Sequence, residues 1–218
     1  IFALQDVSQV QAMPQGIRLL RTGRSRSAIA FTSRLDATLV PDLCNDTTTT
    51  VVISHKGITF VAVSAYMLKT RSIDCDIEIL NKVANYALTN KYEILLGSDT
   101  NAHAQLWGYD RSCPRGVACE EFLLRNALQI VPIDGPTFST EDCRQQSTID
   151  IVAFSSKFAL IDGKKSNFPL SDHDMIEAAF EVDDEQDTEP IRILKRTKWE
   201  VFRHHANKIA DKLSLPRS

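Results

Sequence analysis

Apolar residues recur along this chain in two periods, and the change from one to the other marks out its elements. Thr48 to Ser54 and Ile58 to Tyr66 are β-branched runs joined at His55-Lys56-Gly57, the pattern of a β-hairpin, and the second run alternates well. From Asp74 to Asn90 the spacing becomes helical, with Ile77, Leu80, Val83, Ala84, Ala87 and Leu88 three and four apart, as on a helix packed against a sheet. A strand through Tyr92, Ile94, Leu95 and Leu96 then runs to Asp99. Gly116 to Leu128 offers a second helix through Val117, Phe122, Leu123 and Leu128. Gln129 to Ile133 reads as a short strand, and Gly135-Pro136-Thr137-Phe138 as a turn into another. Thr148 to Ser155 and Met175 to Val182 complete the strands, and Ile1 to Val7 and Ser27 to Phe31 precede them. Gln9 to Thr22 is polar, is broken by Pro14 and Gly16, and reads as a loop. Many strands with helices between only some of them predict an α/β sandwich rather than a barrel of repeated βα units.

The pattern also predicts the domain organisation. Residues 1–182 form one domain. Residues 183–196 form an acidic then basic linker, because Asp183 to Pro190 has no apolar residue except the terminal proline and its like charges repel. Residues 197–215 form an amphipathic helix, in which Thr197 and Glu200 hold capping-box positions and Trp199, Phe202, Ala206, Ile209 and Leu213 make a stripe that needs a partner. The chain opens at Ile1-Phe2-Ala3-Leu4, already inside an apolar run, which predicts a fragment of a longer polypeptide.

Composition adds little to this picture. The 218 residues are 43% hydrophobic and 24% charged, ordinary for a globular domain, and no apolar run approaches the length of a membrane span. Five cysteines without Cys-x-x-Cys spacing indicate neither a zinc site nor a disulfide framework. A net charge of -3 gives no global attraction to nucleic acid, so any DNA-binding surface must be local. Arg18, Arg21, Arg24 and Arg26 form one basic cluster, and Lys164 with Lys165 a smaller one; either could equally be solvated loop.

The chemistry gathers at strand ends. Leu95-Leu96-Gly97-Ser98-Asp99-Thr100-Asn101 leaves a buried run and places a carboxylate and an amide two residues apart, on one side if the extended geometry continues. With Asp6, Tyr66, Asp150, Asp172 and His173 these residues make a set at predicted strand ends. Each has an ordinary alternative: Asp6 or Asp99 as a turn cap, Tyr66 as a core ring, His173 as a surface loop residue. Together they suit a phosphate-ester hydrolase. Carboxylates are hard ligands for Mg2+ or Mn2+, and a carboxylate can fix the tautomer of an adjacent imidazole.

Four ordered motifs carry a resemblance. Gly97-Ser98-Asp99-Thr100-Asn101-Ala102-His103 with Trp107-Gly108, then Pro136-Thr137-Phe138, then Ser147-Thr148-Ile149-Asp150, then Ser171-Asp172-His173 resemble the endonuclease/exonuclease/phosphatase superfamily, and within it the apurinic-type endonuclease domain of non-LTR retrotransposons. The resemblance implies a DNase-like α+β fold, a four-layer sandwich of two mainly antiparallel sheets face to face with helices outside. It implies Mg2+-dependent nicking of DNA, with Mn2+ a possible substitute, in a nuclear polyprotein whose next domain is a reverse transcriptase. It implies that Asp99 orients the attacking water, that Asn101 and Tyr66 contact the phosphate, that Asp150 holds the catalytic His173, that Asp172 lies on the metal side, and that Ser147 supports substrate binding. Two departures stand out. Gln5-Asp6 occupies the place of a Gln-Glu pair whose acid is the principal metal ligand, and the family's first strand lies before Ile1, so that a central sheet edge is expected to be uncovered. A related phosphoesterase acting on a phosphoinositide, nucleotide or sphingolipid, and a remnant that binds without cleaving, are the alternatives.

Overall fold

The computed structural model describes residues 1–7, 13–55, 57–140, 142–167, 171–182 and 191–195. Two six-stranded sheets face each other. The first holds β1 (Phe2–Gln5), β2 (Ile17–Leu20), β3 (Ser27–Thr32), β12 (Phe158–Ser166), β13 (Met175–Val182) and β14 (Ile191–Lys195), in the order β12-β13-β14-β1-β3-β2. The second holds β4 (Asp36–Leu39), β5 (Thr48–His55), β6 (Ile58–Tyr66), β7 (Glu93–Asp99), β8 (Gln129–Ile130) and β11 (Asp150–Phe154), in the order β4-β5-β6-β7-β11-β8. A small ribbon pairs β9 (Phe138–Ser139) with β10 (Gln146–Ser147).

The period of two along the central strands decides which side chains meet. In β6, Val61, Val63 and Ala65 face the helices, whereas Phe60 and Ala62 face the other sheet; in β7, Ile94 and Leu96 face the helices and Leu95 the other sheet. The apolar residues Phe60, Leu95, Val152 and Phe154 meet Ala3, Ile29, Phe31 and Phe180 in the core between the sheets. The helices α1 (Ile73–Asn90) and α2 (Pro114–Arg125) cover the outer face of the second sheet. The outer face of the first carries a smaller apolar cluster of Phe2, Leu4, Ala28, Ala30 and Met175.

α1 starts and stops where its residues dictate. Asp74 and Asp76 lie in its first turn, where carboxylates favour the helix dipole, and Lys91 ends it in the left-handed region with φ 58. Ile79 is buried in it and Leu88 is 79% exposed, the reverse of what the spacing of Leu88 predicts. α2 begins two residues earlier than expected because Pro114 sits at its first position, where a missing N–H is harmless. Five strands escape the reading from sequence. β2 lies within the stretch expected to be a loop, β4, β10 and β12 lie in stretches given no element, and β14 falls within the expected linker at 183–196. β2, β4 and β12 are edge strands, and β12 carries a register shift between Leu160 and Asp162 together with Lys164 and Lys165, features that blunt both a sheet edge and its sequence signature. β14 pairs parallel with β1 and antiparallel with β13, so the edge of β1 that was expected to be uncovered is covered. The expected helix at 197–215 lies outside the described residues.

Candidate active site

The strand ladders bring the polar ends together. Asp99, the last residue of β7, is the direct partner of Asp150, the first of β11, and Tyr66, the last of β6, is the parallel partner of Asp99. Continuing the alternation that turns Leu95 and Val152 to the other sheet, Asp99 and Asp150 point into the seam between the sheets. Both are buried, as is His173, which stands just before β13 on the opposite sheet.

One group of side chains is compact. Ligand atoms of Asp99, Asp150 and His173 all lie within 4.8 Å of one another. His173 Nδ1 is 2.7 Å from Asp150 Oδ2, and that oxygen also accepts the Thr137 hydroxyl at 2.7 Å. Thr137 Oγ1 in turn accepts the backbone N–H of Ile149 at 3.2 Å and of Asp150 at 3.1 Å. On its other side, His173 Nε2 lies 4.0 Å from Asp99 Oδ2. That gap is too long for a direct hydrogen bond, and one oxygen atom can bridge it with hydrogen bonds of ordinary length to both groups. The Phe138 ring meets the imidazole edge to face, with centroids 4.9 Å apart.

The loop carrying His173 is tied to the loop carrying Thr137. Asp174 N donates to Thr137 O at 2.7 Å, and Ser139 N to Asp172 O at 2.8 Å. Lys165 reaches both, donating to Pro136 O at 2.5 Å and pairing with Asp174 at 3.2 Å. Half of the smaller basic pair is therefore committed to holding these loops.

The remaining expected residues divide. Asn101 has φ 45, donates its side-chain amide to Met67 O at 2.8 Å, and donates its backbone N–H to Asp99 Oδ1 at 3.1 Å, so it stands beside Asp99 in a fixed orientation. Ser147 accepts the Thr137 N–H on its carbonyl at 3.0 Å, and its side chain bonds the Tyr109 hydroxyl, which also accepts Thr148 N at 2.8 Å. Burial raises the pKa of that tyrosine, against the lowering effect of both hydrogen bonds. Ser147 thus supports the Thr137 loop. Asp172 is exposed and Asp6 is not in the compact group; Asp6 Oδ1 accepts both Nε, at 3.0 Å, and Nη2 of Arg26. Thr137 is the residue that reading for chemistry overlooked, although its Pro-Thr-Phe setting is conspicuous in the sequence. Two carboxylates and an imidazole this close together form a donor set that can hold a divalent metal ion.

Solved structures share this fold. The endonuclease domain of TRAS1, a telomere-specific non-LTR retrotransposon, superposes with a TM-score of 0.68 at 24% identity, over 79% of this chain and 82% of that one. A mannosyl-6-phosphatase of Bacteroides thetaiotaomicron reaches 0.52 at 13% identity, over 77% and 78%. A humanized D. rerio TDP2 reaches 0.53 at 11%, over 77% of each. No curated protein matches in sequence. No helix among the described residues is long and apolar enough to cross a membrane. The sandwich with its seam of two aspartates and a histidine is that of a metal-dependent nuclease or phosphoesterase. The profile of the endonuclease-reverse transcriptase family matches residues 60–177, more than half of the chain and the span that holds Tyr66, Asp99, Asn101, Asp150 and His173, and the chain belongs to that family.

Proposed function

We propose that this protein is a Mg2+-dependent DNA endonuclease that hydrolyses one phosphodiester bond of a target duplex, in the nucleus and as part of a polyprotein with a reverse transcriptase domain. The observation that carries the reading is the buried line Thr137–Asp150–His173 aimed across 4.0 Å at Asp99. Asp99 accepts a hydrogen bond from the attacking water and orients it toward phosphorus. His173, with Nδ1 donated to Asp150, presents Nε2 to the oxygen between itself and Asp99, where it can exchange a proton or support charge as the phosphoryl group passes through its transition state. Asn101 holds a phosphate oxygen through its second amide hydrogen, the first being committed to Met67 O. Asp6 and Asp172 are the residues assigned to hold a divalent cation, which would supply positive charge against that building on the phosphoryl oxygens. Tyr66 borders the phosphate position.

The DNA surface in this reading is the arginine cluster, of which Arg24 is exposed and Arg18 lies over the Phe31 ring at 5.3 Å. The resemblance to the TRAS1 domain favours DNA over a small phosphate ester. The test is nicking of supercoiled plasmid in Mg2+ by the parent and by His173→Ala. Nicking by the parent and its loss in the variant support the reading; a folded parent that nicks nothing at any metal concentration overturns it. A second reading, binding without cleavage, draws on the arginine that holds Asp6, and it predicts DNA retention that weakens with salt and no metal-dependent product.

A further inference from the structure

Arg26 is fixed more firmly than a surface arginine needs to be. Its backbone N–H donates to Asp46 O at 2.7 Å and its carbonyl accepts Val7 N at 2.8 Å, so the residue is pinned between the end of β1 and the loop before β5. Arg21 reinforces the same turn by donating to the carbonyls of Val7 and Ser25, each at 3.3 Å. From that position the guanidinium lies 4.8 Å from the centroid of the Tyr66 ring and grips a single oxygen of Asp6 with two of its nitrogens. Asp6 itself is held with φ 56, a left-handed conformation that turns its carboxylate off the strand direction. The guanidinium therefore lies over the Tyr66 ring and engages the Asp6 carboxylate with its N–H edge, joining two residues assigned to the substrate and metal.

We propose that Arg26 is the resident counter-cation of Asp6 and competes with the divalent ion for that carboxylate, so that metal binding at Asp6 requires the Asp6–Arg26 pair to open. The inference rests on the metal reading of this site and deepens it. A carboxylate oxygen already engaged by two charged N–H groups is a poorer metal ligand, and a dication brought to Asp6 also meets the guanidinium as a like charge. The ring of Tyr66 keeps the guanidinium from leaving freely, since the cation–π contact persists whether or not Asp6 is engaged.

The experiment is Mn2+ binding to the full chain, followed by the loss of the free Mn2+ signal in electron paramagnetic resonance, with circular dichroism to establish folding. The proteins are the parent, Arg26→Met, Arg26→Lys, Arg24→Met, Asp6→Asn, and the double variant Arg26→Met with Asp6→Asn. Arg26→Met keeps an apolar arm against Tyr66 and removes the charge, and it is expected to bind Mn2+ roughly three- to tenfold more tightly than the parent, the partial exposure of the pair limiting the effect. Arg26→Lys and Arg24→Met stay near the parent. In the Asp6→Asn background the Arg26→Met gain disappears, which places the effect at that carboxylate rather than in the general field. Equal or weaker binding by folded Arg26→Met overturns the competition while leaving the metal site intact. An equal gain from Arg24→Met, or a gain that survives Asp6→Asn, also overturns it, and absence of Mn2+ binding by every variant overturns both this proposal and the metal reading.

Discussion

His173 Nδ1 and Asp150 Oδ2 are 2.7 Å apart across the seam between the two sheets, and the contact leaves the other imidazole nitrogen, Nε2, facing Asp99. An ionised carboxylate only accepts, so the ring hydrogen is assigned to Nδ1 and the Nε2 lone pair turns toward Asp99. Asp150→Asn keeps the shape but can offer N–H in place of an acceptor, favouring the wrong tautomer. Plasmid nicking by this variant is expected to fall by about a hundredfold to ten-thousandfold with the fold retained, by analogy with other carboxylate-held imidazoles. Near-parental nicking would show that the pair is structural only.

Thr137→Val probes the same line from the other end. It removes the hydroxyl donated to Asp150 and the acceptor of two backbone N–H groups. Leaving buried donors unsatisfied is expected to lower stability by about 1–3 kcal/mol in urea unfolding, and to lower the nicking rate about tenfold. Thr137→Ser keeps the hydroxyl and is expected to restore most of both.

Away from the seam, Arg115 and Asp76 form a buried ion pair at 2.6 Å, and the same guanidinium donates to the carbonyls of Leu68 and Arg71. Either Arg115→Met or Asp76→Asn alone strands a buried partner and is expected to destabilise the protein by about 3–5 kcal/mol. Burial raises the Asp76 pKa despite the lowering effect of Arg115 and Arg71. Combining Arg115→Met with Asp76→Asn should therefore be less damaging than the sum of the two single changes, which chemical denaturation of the four proteins would measure.

Two glycines mark places where backbones come too close for a side chain. A Cβ on Gly116 would stand 2.0 Å from His103 O, and one on Gly97 2.6 Å from the Cβ of Ala3 in the opposite sheet. Gly116→Ala is expected to abolish soluble folded protein, because the obstacle is backbone. Gly97→Ala should destabilise by about 1–3 kcal/mol as the sheets are forced apart. Thermal melts of both, with Gly135→Ala as the milder comparison, decide the order.

Burial pushes the Cys119 thiol up to about 12 from an ordinary 9.0. A raised pKa means that the folded state resists losing this proton, so the contribution is complete below pH 9 and is lost as the pH rises toward 12, at about 1.4 kcal/mol per unit. Cys119→Ala should flatten the alkaline decline in stability. In the native protein at pH 8, exposed Cys75 and Cys143 should alkylate within minutes while Cys119 stays protected, which peptide mapping would show.

What could be read beforehand follows from how each feature is encoded. α1, the β5–β6 hairpin and β7 are long and periodic, and their inner faces match the pattern of Leu80, Val83, Phe60 and Leu95. β2 and β4 have four residues each at the edges of their sheets, too short for a period of two to emerge, and β12 hides behind its charges and irregular register. At the site, Asp99, Asp150 and His173 announce themselves as chemistry at strand ends, and their convergence is shown by the ladder between β7 and β11. Thr137 stands within one of the motifs but receives no role, because a threonine between Pro136 and Phe138 has no evident chemistry until the fold sets it beneath Asp150. Arg26 hides for a similar reason. Nothing local distinguishes it from Arg24, and only the approach of β1, β3 and β6 brings it between Asp6 and Tyr66.

The sheet orders also impose a sequence of events in time. Every strand of the second sheet comes from residues 36–154, an uninterrupted stretch, whereas the first sheet joins β1 to β3 from the start of the chain with β12 to β14 from beyond residue 157, and Phe2 finds Leu194. As the chain leaves the ribosome, the half carrying Asp99 and Asp150 can therefore form while the other half still waits for partners not yet made. His173 arrives with that late half, so a ribosome-bound chain interrupted before residue 173 carries the two acids without their histidine. The compact group of two aspartates and a histidine is thus completed only when nearly all of this segment has been translated.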